Sequence, residues 1–161
     1  MADKGLSITP CNNAAIRQAA RMLGQLYDDA LAPSGLRATQ HTLLSTIHRM
    51  DGPTLREMAT ALVMDLSALG HSLKPLVRDG LVAVTTDAQD RRAKRAVLTK
   101  VGSKKLQETT RLWRAAQGRF EDVFGLRRAE ELRESLASLS ADEFRQAFRD
   151  GRPFAKRRQR D

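Results

Sequence analysis

The sequence predicts a mainly α-helical chain carrying one small β-hairpin. Three observations predict it. Aromatic residues are 4% of the 161 residues, so a core has to be built from Leu, Ala, Val, Ile and Met, which favours packed helices over a β-sandwich. Apolar residues recur at spacings of three and four along most of the chain. Only two short runs, 81–84 and 95–98, read as strands, and they flank a polar, charged stretch.

The elements follow in order. A first helix is predicted from about Asn12 to Ala32, with Ile16, Ala19, Leu23, Leu26 or Tyr27, and Ala30 on one face. Pro33 and Gly35 end it. A second begins near Thr39 with Leu43, Leu44, Ile47 and Met50 inward, and Asp51-Gly52-Pro53 stops it. Thr54-Leu55-Arg56-Glu57 is a capping box opening a short helix. Asp65 is a suitable N-cap for a fourth helix from about Leu66 to Asp79. In that helix Leu66, Leu69 and Leu73 are expected to face the core. Pro75 is expected to bend its last turn, and Gly80 to end it. Leu81–Val84 and Arg95–Leu98 form the hairpin. Thr99 then caps a long helix to about Phe124, with Leu106, Thr109, Trp113, Ala116, Phe120 and Val123 as a heptad-like seam. A helix from about Arg127 to Ala137 follows. Ser140-Ala141-Asp142-Glu143 predicts a second capping box and a last short helix to Phe148. The segment 151–161 is basic and aperiodic and is expected to be a disordered tail.

Lys and Arg number 28 against 19 Asp and Glu, a formal charge of +9. Such an excess points to a polyanionic partner, nucleic acid first. No apolar run approaches the ~20 residues of a membrane span, and residues 1–10 lack the apolar core of a secretion signal. The single cysteine, Cys11, excludes an internal disulfide. A soluble cytoplasmic protein, bacterial and close to the chromosome, is therefore expected. Enzymatic function is not. His41, His48 and His71 lack metal-ligand spacing with one another or with Cys11. There is no Gly-rich phosphate loop, no nucleophile elbow and no His-Glu-x-x-His. Neither metal nor cofactor is implied.

Two short helices joined by a tight turn and followed by a hairpin form a winged helix-turn-helix, whose second helix enters the DNA major groove by its N-terminal part. In the predicted fourth helix the face opposite the leucines carries Ser67, Ala68, His71, Ser72 and Lys74. Small and polar residues there allow close approach and hydrogen bonds to base edges. At the hairpin tip, Asp90, Arg91, Arg92 and Lys94 stand in a loop suited to phosphate contact or minor-groove insertion. Asp90 is expected to pin and aim a neighbouring guanidinium.

These residues resemble the MarR (multiple antibiotic resistance regulator) family. The likeness is carried by Asp79-Gly80-Leu81-Val82, by Asp90-Arg91-Arg92-Ala93-Lys94, and by Leu98-Thr99-x-x-Gly102, and it covers about residues 10–148. The resemblance implies a homodimeric regulator binding a palindromic operator in double-stranded DNA. Dimerisation helices would lie within 12–32 and 100–149 and the DNA-binding part within 38–98, in one unit of residues 10–150. It implies Arg92 as the wing-tip arginine, oriented by Asp90. It also implies a repressor released by a small aromatic or carboxylic acid held between the dimer region and the winged domain. Arg17, Tyr27, His41, Trp113 and Gln117 are the polar or aromatic residues on otherwise apolar faces that fit such a pocket. Redox sensing at Cys11 is the alternative. Peroxide-sensing relatives activate a cysteine with two tyrosines. Here Tyr27 matches one and Ala38 stands at the other, so an ordinary thiol is expected.

Overall fold

The structure is a computed structural model describing residues 11–154. It forms α1 (Asn12–Leu31), a 3-10 turn (Ala32–Ser34), α2 (Ala38–Arg49), α3 (Leu55–Ala61), α4 (Leu66–Arg78), β1 (Val82–Thr86), β2 (Lys94–Leu98), α5 (Lys100–Phe124), α6 (Leu126–Leu139) and α7 (Asp142–Arg149). The chain divides within α5, after Ala116, into two compact units.

Local chemistry places most of these boundaries. The Glu57 carboxylate accepts from the Thr54 amide at 2.7 Å, and the Glu57 amide donates to the Thr54 hydroxyl at 3.2 Å, closing the expected box on α3. Asp65 Oδ1 accepts from the Ala68 amide at 2.7 Å and caps α4. Thr99 Oγ1 accepts from the Gly102 amide at 2.9 Å and caps α5. One cap comes from outside its own helix: Asp28 of α1 accepts from the Ala38 amide at 2.7 Å, tying α1 to the start of α2. The second expected capping box is absent. Ala141, not Ser140, is the N-cap of α7 and makes no side-chain cap. The Ser140 hydroxyl turns back to the Leu136 carbonyl of α6 instead, and Asp142 pairs with Arg145 one turn on.

The core of the first unit lies between α2, α3, α4, the hairpin and the start of α5. Leu44, Ile47, Met58, Leu69, Leu76 and Val82 are its most enclosed large side chains. Leu66 is a correction: it is half-exposed at the first position of α4 rather than facing that core. The helix begins one turn before the packed region, so only Leu69, Leu73 and Leu76 reach it. The hairpin is antiparallel, with Val82 opposite Leu98 and Thr86 opposite Lys94. At its root, α5 packs so closely that a Cβ on Gly102 would stand 1.9 Å from the Leu81 carbonyl oxygen. The Leu-Thr-x-x-Gly pattern thus joins a hydroxyl cap to a position that only glycine can fill.

In the second unit, Ala129 and Ala147 are buried, and Arg133 pairs with Glu121 at 3.0 Å. Residues 151–154, expected to begin a disordered tail, are instead held. The Arg152 amide donates to the Ala147 carbonyl, and Phe154 packs edge-on against Phe144. The rest of the expected tail lies outside the described residues.

Candidate nucleic-acid interface

Helix α4 owes its orientation to Leu69, Leu73 and Leu76, which are buried. Burial of one stripe leaves the remaining faces to solvent. Ser67, His71 and Lys74 are exposed at spacings of four and three, and the Lys74 ammonium lies 3.4 Å from His71 Nδ1. Gly70 sits among them with open space where a Cβ would be. It clears the face for a close approach, and the sequence patterning did not single it out. Ala68 and Ser72 are half-buried and one turn apart, on the flank of the helix rather than with the other three.

The wing tip is built around two aspartates. Asp87 is buried, and its Oδ1 accepts from the amides of Gln89 and Asp90 at 2.7 and 2.8 Å. Its other oxygen accepts from Arg95 Nε. Arg95 Nη1 also donates to the Gly52 carbonyl at 2.7 Å. The Ala96 amide bonds to the Pro53 carbonyl beside it. Arg95 therefore fastens the wing to the turn before α3 instead of presenting its charge at the tip. The amide of Asp90, then Arg95 and the amide of Gln89, hold the Asp87 carboxyl below the usual carboxylate range. The same capping hydrogen bonds from Thr54 lower Glu57.

Asp90 corrects the expectation placed on it. Its Oδ1 accepts from the backbone amide of Arg92 at 2.9 Å, and the Ala93 amide closes onto its carbonyl. Asp90 sets the backbone of the tip and not the guanidinium of Arg92. Arg91 and Arg92 are exposed. Lys94 is exposed and donates to Thr86 Oγ1 across the hairpin at 2.8 Å. Asp87 and Arg95 were missed because both read as loop charges, and their partners are fixed only when the strands pair.

Of the five residues expected to hold an effector, two meet. His41 is buried, with Nδ1 3.0 Å from Thr109 Oγ1 and its ring stacked on Trp113 at 5.9 Å. The Thr109 hydroxyl lies within 3.1 Å of the Lys105 and Leu106 carbonyls of its own helix. Its single proton goes to that turn, so it accepts from His41 Nδ1–H. Burial lowers the imidazole pKa. Arg17 is exposed on α1 and Tyr27 half-buried. Gln117 belongs to the second unit, where its amide donates to Glu121 at 2.8 Å. None of the five lines the groove between α2 and α5, about 480 Å³, whose walls include Ser45, His48, Gln107, Thr110, Arg111 and Arg114. Cys11 is exposed at the N-cap of α1.

Comparison with known proteins agrees with this architecture. The MarR family model matches residues 36–94, which run from just before α2 to the first residue of β2. The crystal structure of the M. tuberculosis transcriptional regulator MosR in complex with DNA is 36% identical, with a TM-score of 0.74. The match covers 89% of this chain and 99% of that one. The transcriptional repressor CouR bound to a 23-mer DNA duplex has a TM-score of 0.77 over 88% of this chain and 99% of its own; at 22% identity it shows the fold alone. The HTH-type transcriptional regulator YwoH of Bacillus subtilis is 29% identical over 93 residues, 58% of this chain and 67% of that protein.

Proposed function

We propose, from the premise that the chain belongs to the MarR family of DNA-binding transcriptional regulators, that it acts as a homodimeric repressor of palindromic operators, released by a small carboxylic or aromatic acid. The observation that carries the DNA reading is a pairing of features in the first unit. It combines a recognition helix with a small, polar face and a cationic wing whose tip is fixed by Asp87 and Asp90.

The division of labour follows from the chemistry. Ser67, His71 and Lys74 read the major groove, with Ala68 and Ser72 on the flank. Arg92 enters the minor groove, where the narrow width concentrates negative potential. Arg91 and Lys94 neutralise phosphates, which supplies affinity without sequence information. A fluorescence-anisotropy titration tests the assignment. Arg92→Ala is expected to weaken operator binding by about 1–3 kcal/mol, and wild-type affinity is expected to fall steeply with salt. Undiminished affinity in the variant, or a flat salt dependence, refutes it.

Dimerisation is supported by unpaired apolar side chains. Ile16, Met22 and Leu26 on α1 are exposed, as are Val123, Leu126, Leu136 and Leu139 at and beyond the end of α5. A second copy of the chain would cover them, and it would give a palindromic operator its matching two-fold symmetry. Sedimentation at micromolar concentration is expected to show a dimer. The effector reading is supported by the α2–α5 groove, where Arg111 and Arg114 can receive a carboxylate beside the Leu106 side chain. CouR from Rhodococcus jostii has been crystallised with p-coumaroyl-CoA, an anionic aromatic ligand. A panel of aromatic acids tests this by thermal shift. A stabilising acid that leaves operator binding unchanged would separate binding from release. Among the described residues, no helix is long and apolar enough to cross a membrane, in keeping with a cytoplasmic site of action.

A further inference from the structure

We propose that Leu66 is a base-reading residue of this regulator, packing its side chain on the C5-methyl group of a thymine in each operator half-site. The proposal rests on the reading of α4 as the helix that enters the major groove. A single exposed leucine is ordinary on a protein surface, so position has to carry the argument. Leu66 is the first residue of α4, directly after the capping Asp65. The Cα–Cβ bonds of a helix tilt toward its N-terminus, so the side chain at this position projects past the helix end, the end that leads into the groove. It is 51% exposed, whereas Leu69, Leu73 and Leu76 of the same helix are enclosed.

Two neighbouring features fit the same role. Gly70, one turn on, has open space where a side chain would stand, so nothing on that edge of the helix holds the duplex away from Leu66. Val63, in the turn before α4, is also exposed, at 62%. Two exposed apolar side chains therefore make an apolar step in the chain directly before Ser67, the first residue of the polar face. Among the groups the four bases present in the major groove, the thymine methyl is the apolar one. The occupant that matches this step on a DNA-reading helix is a thymine, and the residue supplies discrimination rather than affinity for phosphate.

The experiment begins with selection of a duplex from a random-sequence pool by the full-length wild-type protein. Each thymine of the selected half-site is then replaced singly by deoxyuridine, which removes only the methyl group. Wild type is expected to lose about three- to tenfold in affinity at one thymine per half-site. Leu66→Ala is expected to bind the thymine and deoxyuridine duplexes equally at that position and to keep its sensitivity elsewhere. Circular dichroism of the variant controls for folding, and Leu66→Met, which restores an apolar side chain, is expected to recover part of the methyl preference. Failure to enrich any sequence overturns the groove reading of α4 and this proposal with it. Enrichment of a site at which Leu66→Ala keeps the wild-type response to every deoxyuridine leaves the groove reading standing and refutes the role of Leu66 alone.

Discussion

Replacing Gly102 by alanine tests how the wing is joined to the long helix. The new methyl would lie 1.9 Å from the Leu81 carbonyl oxygen and 2.8 Å from its carbon. Ordinary contact begins near 3.4 Å, so α5 and the root of β1 must part by about 1.5 Å. The obstacle is backbone and cannot rotate away. That same carbonyl accepts from the Thr99 amide at 3.1 Å, and separation weakens that bond; the Thr99 hydroxyl donates to the Gly80 carbonyl at 2.7 Å. Forced overpacking costs about 1–3 kcal/mol, and loss of the Thr99 amide hydrogen bond adds about 0.5–1.5 kcal/mol. Alanine returns about 1 kcal/mol through its better helix propensity. The net expectation is a loss of about 1–3 kcal/mol, a fall in Tm on the order of 5 °C for a chain of this size. Urea unfolding measures it, at a fixed protomer concentration because any self-association makes stability depend on concentration. Gly70→Ala is the control: its methyl meets nothing within 4 Å, so it is expected to stabilise by about 0.5–1 kcal/mol. A Gly102→Ala protein as stable as wild type refutes the close approach of Leu81.

Three further outcomes are expected. Val63 is β-branched and holds φ at 53°, in the left-handed region, at a cost of roughly 1–2 kcal/mol. Val63→Gly is expected to raise the urea midpoint by a net stabilisation of about 0.5–1 kcal/mol after the entropy cost of glycine, and a lowered midpoint contradicts this. Asp87 and Glu57 have folded-state pKa values below their ordinary ones. Their contribution is therefore complete above the ordinary carboxylate range and lost as pH falls through the lower folded values. Acid titration of stability should steepen there, and Asp87→Asn should flatten it; an unchanged profile counts against the wing clamp. His41 also has a lowered pKa, so the unfolded chain takes up a proton first, near pH 6.5. Stability should decline as pH drops below that value, and His41→Phe should remove that part of the decline, as read from Tm against pH.

The amino-acid sequence by itself determined what can be settled within one helical turn. The Thr54–Glu57 box, the Asp65 and Thr99 caps and the stop at Gly80 each join partners at most four residues apart, or need only one backbone angle. That Leu69 and Leu73 share one face follows from spacing alone. The family motif was legible for the same reason, because its pieces are local turns, caps and a packed glycine. The tertiary structure decided the rest. Asp87 finds Arg95 only when the strands pair, and Arg95 finds the Gly52 carbonyl 43 residues away. His41 meets Thr109 across 68 residues. Leu66 shares the periodicity of the buried leucines, yet it is exposed because the helix extends beyond the core it packs on. Periodicity states which side chains share a face; where the neighbouring elements end decides which of them that face buries.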